Sequence, residues 1–375
     1  MGRATAIVCL LLSASAFAQQ RSELAELLDA GDEAFPRALE PRAFSFPADH
    51  GPHPEFRNEW WYVTGNLDTS GGRRFGYELT IFRFALAPRN PTSLSAWRSN
   101  QVYIAHLAVT DPEADRFLTD EKFSRGAAGL AGATATPFAV WIDDWRIARR
   151  GDGGDGPREA WSLEAASDEF ALTFELDALK PPVLNGDAGL SQKSDEPGNA
   201  SYYYSLTRIA TRGTIRIGDE TFDVNGSSWL DREWSSSALD PGQVGWDWFA
   251  LQLDDDTELM YYSIRRTDGS EDHNSAGTLT ARDGNAVKVT SDDVRLTVLD
   301  TWDSPAGGTY PARWRLAVPA EELTLEIVPV MADQELFTTV RYWEGAVDVT
   351  GYRGQEPISG RGYVELTGYA VTAAE

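Results

Sequence analysis

From Glu59 onward the sequence keeps returning to one pattern, a short run in which apolar and polar residues alternate. "RFGYELTIFRFAL" sets Phe75, Tyr77, Leu79 and Ile81 against Gly76, Glu78 and Thr80, and "VYIAHLAVTD" sets out Tyr103, Ala105, Leu107 and Val109 in the same way. A period of two puts those apolar groups on one face of a β-strand, where a helix would scatter them. "FALTFELDAL", "GTIRIGDETFDVNG", "WFALQLDDDTELMYYSIRR", "AGTLTARDGNAVKVT", "WRLAVPAEELTLEIVPVM" and "GRGYVELTGY" continue the series, punctuated by Gly, Asp-Gly or Pro. Strands at such regular spacing predict an all-β protein of antiparallel barrels or sandwiches. The 13 Trp, 13 Tyr and 16 Phe, with 33 Gly and 19 Pro for turns, suit that class.

The pattern also repeats on a larger scale. "EWWYVTGNLDTSGGRRFGYELTIFRF" from Glu59 resembles "GWDWFALQLDDDTELMYYSIRR" from Gly245: an aromatic-rich strand, a polar turn, then a partner strand ending in arginine. Two copies of one β unit follow. "SSSALDPGQ" supplies the break, which gives an N-terminal unit over 46–238 and a C-terminal unit over 239–375. Residues 19–45 read as a lead-in, with a short helix and then extended chain. "RRGDGGDGPREA" reads as a hairpin loop.

The first residues, MGRATAIVCLLLSASAFAQQ, carry one arginine, a short apolar run and Ala16-Phe17-Ala18. This predicts a signal peptide over 1–18, cut after Ala18, and a periplasmic or secreted protein without stable membrane insertion. Cys9 is the single cysteine and falls in that segment, so the remainder is held by its core alone. The formal charge of −25 disfavours nucleic acid and anionic membrane surfaces as partners.

Candidate sites come next. "FPADHGPHPEFRNEWWYVTGNL" offers His50 and His53 beside Asp49 and Glu55. Pro47, Pro52 and Pro54 make the segment irregular, and few further ligand residues exist, with no cysteine. A hydrogen-bonded latch is expected over a metal site, with His50 at a cavity mouth; neither metal nor cofactor is expected. His106 lies mid-strand on the face of Ile104 and Ala108, as a cavity residue or a structural one.

In "SWLDREWSS", Trp229, Asp231 and Glu233 share one strand face, and Leu230, Arg232 and Trp234 the other. Trp246 and Trp248 follow. A carboxyl facing an aromatic-lined cavity is desolvated and stays partly protonated near neutrality, as an acid for an unactivated alkene must. Aromatic faces suit the carbocation that results. The competing readings are an ion-pair network of Asp231, Arg232 and Glu233 linking the two units, and a glycosidase pair. The latter is disfavoured because residues two apart on one face do not reach a sugar from opposite sides. Tyr203, in "NASYYYSLTR", is a proton relay or packing. No G-x-S-x-G is present for a hydrolase.

Taken together, "FPADHGPHPEFRNEWWYVTGNL", "AHLAVTD", "KPPVLNGDAGLSQKS", "NASYYYSLTR", "SWLDREWSS" and "GWDWFALQLDD" resemble the bacterial AttH family. That family is related to the carotenoid 1,2-hydratase (CrtC-like) group and often carries the label of a secreted hydrolase. The resemblance spans about Ala43 to Tyr369. It implies two tandem lipocalin-like antiparallel β-barrels, a cavity for a lipophilic small molecule, and association with an ABC transporter. Two functions are therefore expected, in different classes. One is a hydratase, lyase or isomerase with Asp231 as acid, Glu233 and Tyr203 assisting, and His50, His106, Trp229, Trp234, Trp246 and Trp248 around the ligand. The other is a carrier that delivers such a ligand to an envelope transport system, with a secreted hydrolase as a further alternative.

Overall fold

The structure, a computed structural model, describes residues 22–28, 35–88, 95–151, 159–237 and 239–370. The expected signal peptide, 1–18, lies outside the described residues, as does most of the loop between Arg149 and Ala160. Of the lead-in, Glu23–Leu28 is a one-turn-and-a-half helix, α1, and 36–45 forms no regular element.

The alternating runs fold as antiparallel strands. The first sheet contains β1 (Asn58–Thr69), β2 (Arg74–Ala85), β3 (Gln101–Asp111), β4 (Arg116–Arg125), β5 (Ala131–Ala135), β6 (Phe138–Ile142), β7 (Trp145–Arg149), β8 (Ala160–Ala166), β9 (Phe170–Ala178), β10 (Val183–Leu184), β11 (Leu190–Gln192), β12 (Ala200–Ile217) and β13 (Glu220–Ser235). The second contains β14 (Gln243–Leu253), β15 (Glu258–Arg266), β16 (Ala276–Thr280), β17 (Ala286–Thr290), β18 (Arg295–Asp303), β19 (Thr309–Val318), β20 (Leu323–Pro329), β21 (Glu335–Phe337), β22 (Arg341–Arg353) and β23 (Glu356–Leu366). The order β4-β3-β2-β1-β13-β12-β9 in one sheet matches β17-β16-β15-β14-β23-β22-β20 in the other. The repeat seen in sequence thus places β1 and β14 at equivalent central positions, each paired to the last strand of its own unit.

Each sheet curls into a near-closed barrel around its own core. Trp61, Val63 and Leu67 of β1 point into the first barrel with Phe75, Tyr77, Leu79 and Ile81 of β2, and Phe249, Leu251 and Leu253 of β14 point into the second. The faces that alternate with these are buried as well, so that β2 is buried along nearly its whole length. The outer faces of the central strands pack against each other: Tyr62, Tyr203 and Trp229 of the first barrel meet Trp248, Met260, Tyr262 and Tyr363 of the second. At Gly76 the contact is close enough that an added Cβ would lie 2.6 Å from the Cβ of Ala346.

Candidate functional site

The seam between the barrels holds a cavity of about 100 Å³, measured as space open to the centre of a water molecule. One water needs ~10–15 Å³ by that measure, so the space accepts a small organic group. Its walls follow from strand register. On the first barrel Asp231 lies between Tyr62 of β1 and Ser205 of β12, and Glu233 between Trp60 and Tyr203. Thr80 and Phe82 of β2 extend the same face beyond Tyr62 and Trp60. On the second barrel Tyr262 and Ile264 flank Trp248 and Trp246, and Glu365 of β23 stands on the other side of Trp248. Leu24 of α1, Lys193 and Leu239 complete the wall.

Asp231 is 3% exposed, and among the described residues no cationic side chain pairs with it. The Tyr203 hydroxyl donates to Oδ2, while the Ser205 hydroxyl (2.5 Å) and the Trp229 indole (2.7 Å) donate to Oδ1. Trp248 in turn donates its indole N–H to the Tyr203 oxygen at 3.2 Å. Burial pushes the Asp231 carboxyl up to about 7, against the pull of the three donors and with a contribution from Glu233. A carboxylate has four lone-pair positions. Three are filled, which leaves one on Oδ2 for a proton.

Glu233 lies 3.4 Å from the Lys193 ammonium, and that ammonium sits 4.0 Å from the centroid of the Tyr262 ring and 5.2 Å from that of Tyr203. Burial works against the charge on Lys193, but Glu233 outweighs it and raises its pKa. These rings therefore already present their faces to a cation.

Of the residues singled out in the sequence, Asp231, Glu233, Tyr203, Trp246 and Trp248 come together on this cavity, and Trp229 stands directly behind Asp231. Three others lie elsewhere. Trp234 falls on the alternate face of β13 and fills the first barrel, where His53 stacks on it at 3.7 Å and 5°. His50 is buried in that same barrel, hydrogen bonded to the Tyr204 hydroxyl at 2.6 Å and packed edge-on against Trp161. His106 crosses the seam outside the cavity, with Nδ1 2.7 Å from the Tyr342 hydroxyl and Nε2 3.1 Å from Glu121.

The His50–His53 segment works as a latch. His53 bonds Asp49 at 3.0 Å, its backbone N–H donates to Glu59, and Trp61 donates to the His50 carbonyl. Arg232 does not pair with Asp231 or Glu233. It joins Glu59 and Arg83 in a fully buried ion triad beneath the latch. Among the described residues no group of three or more His, Cys, Asp or Glu is placed to hold a metal ion.

Sequence reasoning missed Trp60, Tyr62, Phe82, Lys193 and above all Glu365. The Trp246 indole donates to Glu365 at 2.5 Å, and burial pushes this carboxyl up to about 8, Trp246 opposing and Asp231 and Glu233 adding to the rise. Behind it on β22 stands Glu344, directly across the ladder and bonded by the Tyr62 hydroxyl at 2.8 Å.

The model of the AttH-like family matches residues 37–369 of the sequence. The chain belongs to the AttH-like family. Among solved structures it is similar to an AttH protein of Nitrosomonas europaea, at 37% identity and a TM-score of 0.78, over 89% of this chain and 100% of that one. It is similar in fold to kievitone hydratase from Nectria haematococca, at 16% identity and a TM-score of 0.66, over 90% of this chain and 98% of that one. No curated protein matches the chain. This AttH-like chain thus has the tandem lipocalin-like barrels that its sequence resemblance implies, and its candidate site lies between them, not inside either one.

Proposed function

We propose that this protein binds a lipophilic, alkene-bearing small molecule in the seam between its barrels and protonates it from Asp231, in a hydratase, lyase or isomerase step. The observation that carries the reading is a buried carboxyl with no ion pair among the described residues, oriented by Tyr203, Ser205 and Trp229 and facing indole and phenol rings. A structural carboxylate in that position would be paired, because an unpaired buried charge is costly. Here the buried arginines pair with Glu59 on the opposite face, and Lys193 of the cavity wall pairs with Glu233.

The chemistry follows from the contacts. Asp231 gives its proton to the less substituted alkene carbon, which leaves a tertiary cation against the faces of Trp246, Trp248 and Tyr262. Loss of a neighbouring proton to Asp231 gives back an alkene, shifted or exchanged, and capture by water gives a tertiary alcohol. Two of the lining groups bear on specificity: Phe82 and Leu239 add apolar wall, and the Lys193–Glu233 pair sets a polar rim. Export is part of the proposal and rests on Met1–Ala18; N-terminal sequencing of protein from cell fractions tests it.

The experiment is incubation of the protein with geraniol, farnesol and squalene in D₂O, with mass spectrometry for deuterium and for added water. The wild type is expected to place deuterium at the trisubstituted alkene. Asp231→Asn is expected to abolish that while leaving affinity for the same compounds nearly intact. A variant that exchanges deuterium as the wild type does would refute the reading and favour a carrier.

A further inference from the structure

The cavity has a second unpaired carboxyl that the step at Asp231 does not use. Glu365 belongs to the other barrel, on β23, and lines the same cavity. Among the described residues it has no cationic partner. It accepts the Trp246 indole N–H and shares a side-chain hydrogen bond with Glu344 across the ladder. Burial raises the proton affinity of Glu365, and Asp231 adds to the rise through space, as two carboxyls near one cavity must.

We propose that Glu365 is the second catalytic residue, the base that takes a proton from the water capturing the cation. This rests on the acid role of Asp231. The reaction balances with water alone. The Asp231 O–H bond breaks as the new C–H bond forms; the water oxygen bonds the cation; the water gives one proton to the Glu365 carboxylate. The alkene has gained H and OH, and the proton on Glu365 returns to Asp231 through solvent or by the reverse reaction. The working state is the one in which the two carboxyls share a single proton and that proton sits on Asp231, the less populated of the two arrangements because Glu365 holds a proton more tightly.

The surroundings of Glu365 fit this role. Asp231 and Glu233 face it from β13, Glu344 from β22, Glu78 from β2, Tyr62 from β1 and Tyr342 from β22, and Lys193 lines the cavity beside Glu233. Burial, with Glu365 and Glu78, holds the Glu344 carboxyl well above the usual range, and burial with Glu365 does the same for Glu78. Both are thereby disfavoured as anions beside Glu365.

The test separates proton transfer from water addition. Glu365→Gln is assayed beside Asp231→Asn with geraniol, farnesol and squalene in D₂O, and carboxyl titrations are followed by ¹³C NMR on protein labelled at Asp and Glu. Glu365→Gln is expected to keep deuterium exchange within about tenfold and to lose alcohol formation by about 100-fold or more. Retained exchange also shows that the variant is folded. In the titrations, Asp231→Asn is expected to lower the midpoint of Glu365. Loss of alcohol in Asp231→Asn but not in Glu365→Gln overturns the inference and leaves the proposed function standing. A Glu365 midpoint that ignores Asp231→Asn also overturns it. No exchange by the wild type overturns the proposed function, and this inference with it.

Discussion

Replacing Asp231 by asparagine should make the folded protein more stable at pH 8 and slightly less stable at pH 4. Asp231 is 3% exposed and its carboxyl rises from 3.8 to about 7 on folding, chiefly by burial. An acid that binds its proton more tightly when folded contributes nothing below about pH 3.8, where both states are protonated. As pH rises from there to about 7 the unfolded state ionises first, so the native state loses ground, and above 7 the loss is complete. At about 1.4 kcal/mol for each tenfold change in proton affinity, the penalty above pH 7 is about 4 kcal/mol. Asparagine carries no charge at any pH and removes it. The amide must re-form bonds to Tyr203, Ser205 and Trp229 with one donor in place of an acceptor, a loss of about 1 kcal/mol. A net gain of about 3 kcal/mol, over an unfolding entropy of about 0.7 kcal/mol/K for a chain of ~350 residues, raises Tm by about 4 °C. Calorimetry of both proteins between pH 4 and 8 measures it. A variant less stable than wild type at pH 8 would show that Asp231 is a structural hydrogen-bond acceptor and would refute the desolvation argument. Stability gained where activity is lost is the mark of a functional residue held in an unfavourable place.

Three further outcomes are expected. Glu59→Gln leaves Arg83 and Arg232 buried without a counter-charge, which costs about 3–5 kcal/mol and lowers Tm by about 4–7 °C in a thermal melt; an unchanged melt would dismiss the triad as a support. Glu59 has its own pH signature: burial raises its pKa, but Arg83 and Arg232 outweigh that and hold it below the usual range, so its support is present above the unfolded value of 4.5 and lost only in strong acid. Gly76→Val drives a side chain into Ala346 across the seam and costs about 1–3 kcal/mol, part of which Ala346→Gly should recover in a double-mutant cycle. Lys193→Met strips Glu233 of its cation, and denaturant titration should show a loss of about 1–3 kcal/mol that Glu233→Gln in the same chain largely restores.

The fold was legible because strand alternation and turn residues are local signals, and the repeat was legible because each barrel is built in one continuous stretch. The site was legible in part. Asp231, Glu233, Trp246 and Trp248 were found because the parity of β13 and β14 separates their face from that of Leu230, Arg232 and Trp234. What misled was the polar face. In "RFGYELTIFRFAL" the side with Gly76, Glu78 and Thr80 reads as solvent-facing, yet Glu78 and Thr80 are both buried against the second barrel. Glu344 in "YWEGAV" and Glu365 in "GYVEL" look equally ordinary for the same reason: nothing in a single strand reports that another sheet covers it. His106 and His50 lie on buried strands or turns, but their hydrogen-bond partners, Tyr342 and Tyr204, are 236 and 154 residues away. No local pattern announces such partners.

Duplication explains why the chemistry sits where it does. A barrel core filled by Trp61, Trp145, Trp161 and Trp234 has its volume committed to holding the barrel together, and so does one filled by Phe249, Trp314 and Trp343. Opening either to admit a ligand would create a cavity in the core, at several kcal/mol for each large side chain removed. The outer faces carry no such duty until a second barrel covers them. Once covered, their polar residues lose water without acquiring the partners a core residue evolves beside, and Asp231, Glu344, Glu365 and Glu78 are all left desolvated at one seam. Two barrels joined by the seven residues between Ser235 and Gln243 can also exchange outer-face side chains without disturbing either core. Substrate preference in this family should therefore vary through the seam positions of β1, β2, β14 and β15, while the residues facing into the barrels stay large and apolar.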